Sequence, residues 1–165
     1  MLFRSTSGSL SLVGIVGSES VLANVGAAAF VDKNVGTAKT VNLTGITLSG
    51  ADAGNYAIAS TATATADITP LALTLVGQTA ASRAYDGGYL TSGSVALAGV
   101  VSGDSVGVTT PNARFVDKNV GTAKLVNLTG IALTGADASN YTVADSTTAL
   151  ANIRSEEHTS ELQSH

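Results

Sequence analysis

The chain has 165 residues, 44% of them apolar, with no Cys or Trp, two His and a formal net charge of -4. This mild acidity gives no electrostatic footprint for nucleic acid, and no apolar run approaches the roughly 18 to 20 residues that a bilayer crossing needs. A cysteine-free chain suits either the cytosol or a bacterial surface protein that does without disulfides.

Small and β-branched residues dominate, while Lys and Glu are scarce, which disfavours helix and predicts many short strands joined by turns. The word FVDKNVGTAK occurs at residues 30–39 and again at 115–124. The offset between them, 85 residues, pairs 9–68 with 94–153 without a gap, and 24 of the 30 positions in 30–59 are identical. These are tandem copies of one module. Met1 falls opposite Asp86, so LALTLVGQTAASRAY (residues 71–85) has no counterpart in the first copy. The expected organisation is an N-terminally truncated repeat at 1–69 and a complete one at 70–153, cut from a longer array. The truncated copy is expected to fray.

In chain order, residues 1–23 have the outline of a secretory leader, but they align with the interior of the second copy and read as module. Residues 9–16 are predicted as a strand. Residues 23–29 (ANVGAAA) differ strongly from 108–114 (VTTPNAR) and read as a variable loop. Phe30 and Val31 close a strand, Asp32 and Asn34 hold the following turn through their side chains, and Gly36 is expected at positive φ. Val41 and Leu43 then alternate with Asn42 and Thr44, the period of a half-buried strand. After Gly45 the apolar phase slips to Ile46 and Leu48, which predicts a β-bulge at Gly45 and at Gly130. In GADAGNY, after a looser turn at Gly50-Ala51-Asp52, Asp52 and Asn55 organise a corner, and Tyr56 places its ring on the core with its hydroxyl near the surface. Residues 56–68 and 71–82 are predicted strands flanking the joint Ile68-Thr69-Pro70, where Pro stiffens the hinge. Asp86-Gly87 signals a type I′ hairpin and Gly103-Asp104 a looser turn. The first copy reads VGSES (16–20) where the second reads VSGDS (101–105), moving the Gly by one place.

The register ends at Ile153. Residues 154–165 (RSEEHTSELQSH) hold three of the four Glu and both His. This string resembles the conceptual translation of a sequencing-library adapter and is excluded from the fold reading as a non-native tail. Without it the charge falls to -2, nine acids against seven bases.

Taken as a set, LALTLVGQTAASRAYDG, GVVSGDSV, FVDKNVGTAK and LTGADASNYTV, with the Ile-Thr-Pro joint, resemble the YDG-type repeat of large bacterial exoproteins. That repeat is related to MBG-type repeats and occurs in filamentous-haemagglutinin-like adhesins. Tyr85, Asp86 and Gly87 carry the name-giving motif. The resemblance implies export across the bacterial envelope, an extracellular or outer-membrane-associated location, and a place in a β-rich stalk whose partners are adjacent repeats of the same chain.

The expected fold is all-β, small tandem β-sandwiches of immunoglobulin-like type, with a β-grasp-like arrangement as the alternative. No cofactor is expected. Without His or Cys outside the tail, Ser-His and Cys-His catalysis has no base. Asp32 with Asp52 is the best carboxylate pair for glycoside hydrolysis, yet both recur as Asp117 and Asp137, which suits architecture better than one active site. Asp32, Asn34, Asp52 and Asn55, with Asp117, Asn119, Asp137 and Asn140, are weak calcium candidates whose spacing matches no EF-hand or nonapeptide repeat. The sequons at Asn42, Asn127 and Asn140 read as ordinary strand and corner polarity. Sequence thus favours a non-catalytic spacer, with a module recognising host glycan or protein through variable loops as the alternative.

Overall fold

A computed structural model describes residues 10–155. The expectations for residues 1–9 and for 156–165 of the tail lie outside the described residues. The chain divides into two compact units, Met1–Thr69 and Pro70–His165. Both are all-β, and among the described residues the only helical turns are two short 3-10 segments, Ala53–Asn55 and Ala138–Asn140. No helix among them is long and apolar enough to cross a membrane.

Unit one contains β1 (Leu22–Asn24), β2 (Ala27–Phe30), β3 (Gly36–Thr44), β4 (Thr47–Ser49) and β5 (Thr61–Ile68). β3 is the centre of an antiparallel three-stranded sheet between β2 and β5, and β1 pairs with β4. The predicted alternation holds: Val41 and Leu43 are buried while Asn42 and Thr44 are exposed. They form a small core with Ile46, against which Leu10, Val25, Ala28, Phe30, Ile58, Ala62 and Ala66 pack.

Unit two adds β6 (Leu71–Ala72), β7 (Thr74–Ala80), β8 (Arg83–Ala84), β9 (Leu90–Thr91) and β10 (Gly93–Ala98). It then continues with β11 (Gly107–Val108), β12 (Asn112–Phe115), β13 (Gly121–Thr129), β14 (Leu133–Thr134), β15 (Tyr141–Thr142) and β16 (Ser146–Arg154), of which all but β15 repeat strands of unit one. The main sheet runs β8-β16-β13-β12-β9, with β8 parallel to β16 and the other pairs antiparallel. The β7–β10 ribbon lies over it, with Ala80 and Val95 packed on the core of Ala113, Phe115, Val126, Leu128, Ala149, Ala151 and Ile153. Gly93 marks the closest approach: a Cβ there would sit 2.5 Å from Leu128 Cδ2 and 3.0 Å from the Thr79 carbonyl. Only a residue without a side chain lets ribbon and sheet meet so closely.

Several expectations need correction. Residues 10–16 are not a strand, although the equivalent β10 is. β10 pairs only with β7, and β7 belongs to the segment without a counterpart in the first copy, so the same sequence has no ladder to join. For the same reason Tyr56 and Ala57 are not strand while Tyr141–Thr142 pairs in parallel with Leu71–Ala72. The long strand predicted for 56–68 therefore begins at Thr61, and that predicted for 71–82 is interrupted at buried Leu73, whose N–H donates to Thr142 O at 2.8 Å. Residues 23–29 are not a loop, because Ala27, Ala28 and Ala29 lie in β2. The inward position is Ala in both copies, Ala28 and Ala113, whereas the outward Ala29 is matched by Arg114. At the far end β16 runs through Arg154, which pairs with Ala84, so the ladder extends one residue past the register break.

Gly45 and Gly130 do adopt left-handed backbone, φ 64° and 73°. They are not bulges within one strand. β3 and β4 join different sheets, so each glycine turns the chain from one ladder to another and the apolar phase restarts. The bulges lie earlier, in the Thr-Ala of the repeated word: Gly36 and Lys39 face Ile68 and Ala66, and Gly121 and Lys124 face Ile153 and Ala151, three steps against two. The residue in αL there is Ala38 or Ala123, each at φ 49°, and Gly36 is not among the positive-φ residues.

Candidate functional site

Three polar constellations gather the residues singled out by sequence. In the first, Asp32 Oδ1 accepts from Asn34 N–H at 2.8 Å and from Lys39 Nζ. Asp117 Oδ1 likewise accepts from Asn119 N–H at 2.8 Å and Lys124 Nζ at 2.5 Å. The ammonium, then the backbone donor, hold both carboxyls below the ordinary carboxylate range. Gly36 and Gly121 allow the lysine to fold back, since a Cβ would lie 3.2 and 3.3 Å from the lysine Cδ. The glycine expected for its φ instead leaves room beside the lysine stem. The bulge N–H groups of Ala38 and Ala123 donate to Asp67 Oδ1 (2.7 Å) and Asn152 Oδ1 (2.8 Å), partners that sequence reading missed. Their signal was an amide or acid one place before Ile68 and Ile153 in both copies.

The second constellation is the GADAGNY corner. Asp52 Oδ2 accepts from Ser20 N–H (2.9 Å) and Asp137 Oδ2 from Ser105 N–H (2.8 Å). The N–H groups of Asn55 and Asn140 close the 3-10 turn on Asp52 O and Asp137 O, both at 3.0 Å. The ring of Tyr141 is buried, whereas that of Tyr56, for which the core position was expected, is half-buried. The Tyr141 hydroxyl donates to Asp104 Oδ2 (2.5 Å) and accepts from Val101 N–H (3.2 Å). Tyr56 repeats this with Glu19 and with Val16 N–H at 2.9 Å, and the Glu19 carboxylate raises the phenol pKa above its usual value. Glu19 and Asp104 sit at equivalent positions, so the pairing survives the shifted glycine. The turn itself changes type: its positive-φ residue is Gly17, second of 16–19, in one copy and Gly103, third of 101–104, in the other. Either way the fourth residue's N–H returns to the first carbonyl, Glu19 to Val16 and Asp104 to Val101.

The third is the Tyr85-Asp86-Gly87 loop. It is not a type I′ hairpin. Gly87 is left-handed (φ 77°) but Asp86 is not, and the flanking β8 and β9 pair with opposite edges of the sheet. Asp86 Oδ1 accepts from Gly88 N–H at 2.8 Å, an Asx turn that replaces the hairpin geometry. The Arg83 guanidinium, over the Phe115 ring at 5.5 Å, pairs with Asp86 and donates to Gly88 O. Tyr85 N–H donates to Arg154 O and Phe115 N–H to Tyr89 O, both at 2.8 Å, while Arg114 stacks on Tyr89 at 4.7 Å. The motif is thus a clasp between the two edges of the five-stranded sheet. Arg83 was not legible as its partner, although it stands only three residues before Asp86, in β8.

The structure does not bring Asp32 and Asp52, or Asp117 and Asp137, into one site: each carboxylate serves its own turn. Among the described residues no group of three or more His, Cys, Asp and Glu is placed to hold a metal ion. Every named carboxylate instead accepts from a backbone N–H, a tyrosine hydroxyl, a lysine or an arginine, which makes the three constellations latches for bulge, corner and loop.

One family's sequence model, described as YDG domain, matches residues 4–65 and 69–149. No curated protein and no solved structure matches the chain.

Proposed function

The chain belongs to the YDG domain family, and on that footing we propose that it is a non-catalytic structural segment, a stalk or spacer, of a large exported bacterial surface adhesin. The observation that carries this reading is the reuse of the same polar words on the same internal partners in both units. Lys39 and Lys124 go to the acid of the turn, Ser20 and Ser105 to the corner aspartate, and the tyrosine hydroxyls to Glu19 and Asp104. A chain selected for chemistry at one site has no reason to duplicate each candidate residue and then occupy it with the fold's own donors. A chain selected to be a bead in an array needs each bead to carry its own turn and clasp chemistry. The short joint Ile68-Thr69-Pro70 between units, with Pro fixing one dihedral, suits a stiffened string of such beads.

Antibodies raised against the chain should label intact cells of the bacterium that makes it, without permeabilisation, and removing repeats should shorten the reach of the adhesin without abolishing its ligand specificity. Labelling only after permeabilisation would overturn the location. Saturable binding of the chain to a host glycan or protein would replace the spacer reading with that of an adhesive module.

A further inference from the structure

The main sheet of unit two has an inner face that repeats unit one and an outer face that does not. Inward, Phe30, Val41 and Leu43 recur as Phe115, Val126 and Leu128. Outward, Thr40 and Thr65, partners across β3 and β5, give way to Leu125 and Leu150, partners across β13 and β16. Ala29 gives way to Arg114, and Asp67 to Asn152. Val116 lies beside Leu125, its N–H donating to the Leu125 carbonyl at 3.1 Å, and Leu90 pairs with Arg114. Leu125, Val116, Leu150 and Leu90 are 41%, 50%, 62% and 74% exposed. The ladder does not require the two outward leucines, since unit one builds the same pair of strands with threonines at the equivalent places.

We propose that this outer face is a self-association surface, and that its occupant is the same face of a second copy of the chain. Shape, charge and area select that occupant. Leu150, Leu125 and Val116 form a row across three neighbouring strands, with Leu125 at its centre. A two-fold axis along β13 lays Leu125 on its own counterpart and Leu150 on Val116 of the second copy, the reciprocal pattern of an isologous contact. Along β9, β12, β13 and residues 146–152 of β16, Arg114 is the only ionised side chain facing outward. The same axis sets it against Thr148 of the second copy rather than against the other Arg114, and the acid that unit one carries at Asp67 is replaced by an amide. The outward face of these four strands projects to roughly 400 Å² per copy, at about 3.4 Å per residue and 4.8 Å per strand. Accessible area exceeds a flat projection, so a pair buries on the order of 1,000 Å², the lower end of specific interfaces, where weak and reversible ones lie. Other occupants fit less well. A lone cation falls short of the several that hold a chain on an anionic bilayer, and the ring on which a sugar would stack, Tyr89, is covered by the Arg114 guanidinium at 4.7 Å. The inference goes beyond the spacer reading, because it lays two such segments side by side, and it holds wherever the parent protein resides.

The test is analytical ultracentrifugation of the full chain from about 10 μM to 1 mM, with methyl NMR on the same samples. A monomer–dimer equilibrium is expected, with concentration-dependent shifts at Leu90, Val116, Leu125 and Leu150 and none at Leu43 in unit one. The double variant L125T/L150T gives unit two the residues that unit one already carries in the same ladder, so it should keep its fold, as circular dichroism checks. Its dimer dissociation constant should rise by about tenfold or more. The single variant L150K, a charge placed in the row at an exposed position, should have the same effect and guards against misfolding of the double variant. The proposal is overturned if the chain stays monomeric across the range, if both variants associate as well as the parent, or if the shifts fall on another surface. Assembly that runs past the dimer also overturns it, because a two-fold contact closes on itself.

Discussion

Gly135→Ala should be the most damaging single-methyl change in unit two that leaves the core composition untouched. Gly135 has φ 107°, and a Cβ there would stand 2.3 Å from Ser105 O, 2.9 Å from its carbonyl carbon and 3.2 Å from Val106 Cα. All three atoms are backbone, so no rotamer change relieves the contact and the Ser105 segment must move. That segment is held by two bonds to the corner: Ser105 O accepts from Asp137 N–H at 3.1 Å, and Ser105 N–H donates to Asp137 Oδ2 at 2.8 Å. Left-handed backbone costs a non-glycine residue about 1–2 kcal/mol, and loss of the two bonds adds about 1–3 kcal/mol, more if the carboxylate stays unpaired. The sum, about 2–5 kcal/mol, is a large part of the roughly 4–13 kcal/mol available to a unit of this size, and corresponds to a fall of about 10–40 °C in Tm. Gly87→Ala is the control: φ is 77° but nothing lies within 4 Å, so only the backbone term of about 1–2 kcal/mol applies. Urea denaturation of the full chain by circular dichroism, with amide exchange in β13 reporting unit two, measures both. A Gly135→Ala cost within about 1 kcal/mol of Gly87→Ala would refute the close approach as the cause.

Ala123→Gly should be neutral or stabilise unit two by up to about 1 kcal/mol, because relief of αL strain outweighs the added freedom of the unfolded chain; a loss above that in urea midpoint would contradict the strained bulge. Asp117, held below the ordinary carboxylate range by Lys124 and Asn119 N–H, contributes stability that is full above the unfolded pKa of about 3.9 and disappears as pH falls through the lower folded value. Asp117→Asn should therefore flatten the acid limb of a stability–pH curve below about pH 4, and an unchanged limb would contradict the pairing. Tyr141→Phe should cost about 1–3 kcal/mol through the lost bonds to Asp104 and from Val101 N–H, with Asp104→Asn costing less because an amide oxygen still accepts. Equal costs for the two in denaturant melts would place the effect elsewhere.

Where the sequence was legible, repetition and period carried the information. Alternation at Val41 and Leu43 read correctly because one face is buried and a two-residue period allows no other phase. The corner tyrosine was legible in part: a large ring with one polar end has few places to go, yet the ring is buried at Tyr141 and only half-buried at Tyr56. What misled was where that freedom is used: of the glycines expected to need it, Gly36 does not use it and lies against the lysine stem, Gly45 uses it to turn the chain between ladders, and the left-handed bulge residue is an alanine whose N–H is held by a side chain 29 positions away. Long-range partners of this kind leave little local trace. Strandedness at residues 10–16 failed for a related reason: the local sequence matches β10, but a strand exists only with a partner, and β7 has no counterpart in that copy. The clasp could be named from Tyr85-Asp86-Gly87 but not understood, since Arg83 and the two sheet edges it joins meet only in three dimensions.

Thermal unfolding of residues 70–155 alone, followed by circular dichroism with and without calcium, tests most directly whether the complete repeat is a self-supporting structural bead. One cooperative β-type transition with the same midpoint in both conditions is the predicted result. A melt without cooperativity, or a midpoint that rises by several degrees with calcium, would contradict it and turn Asp117, Asn119, Asp137 and Asn140 from latches into ligands.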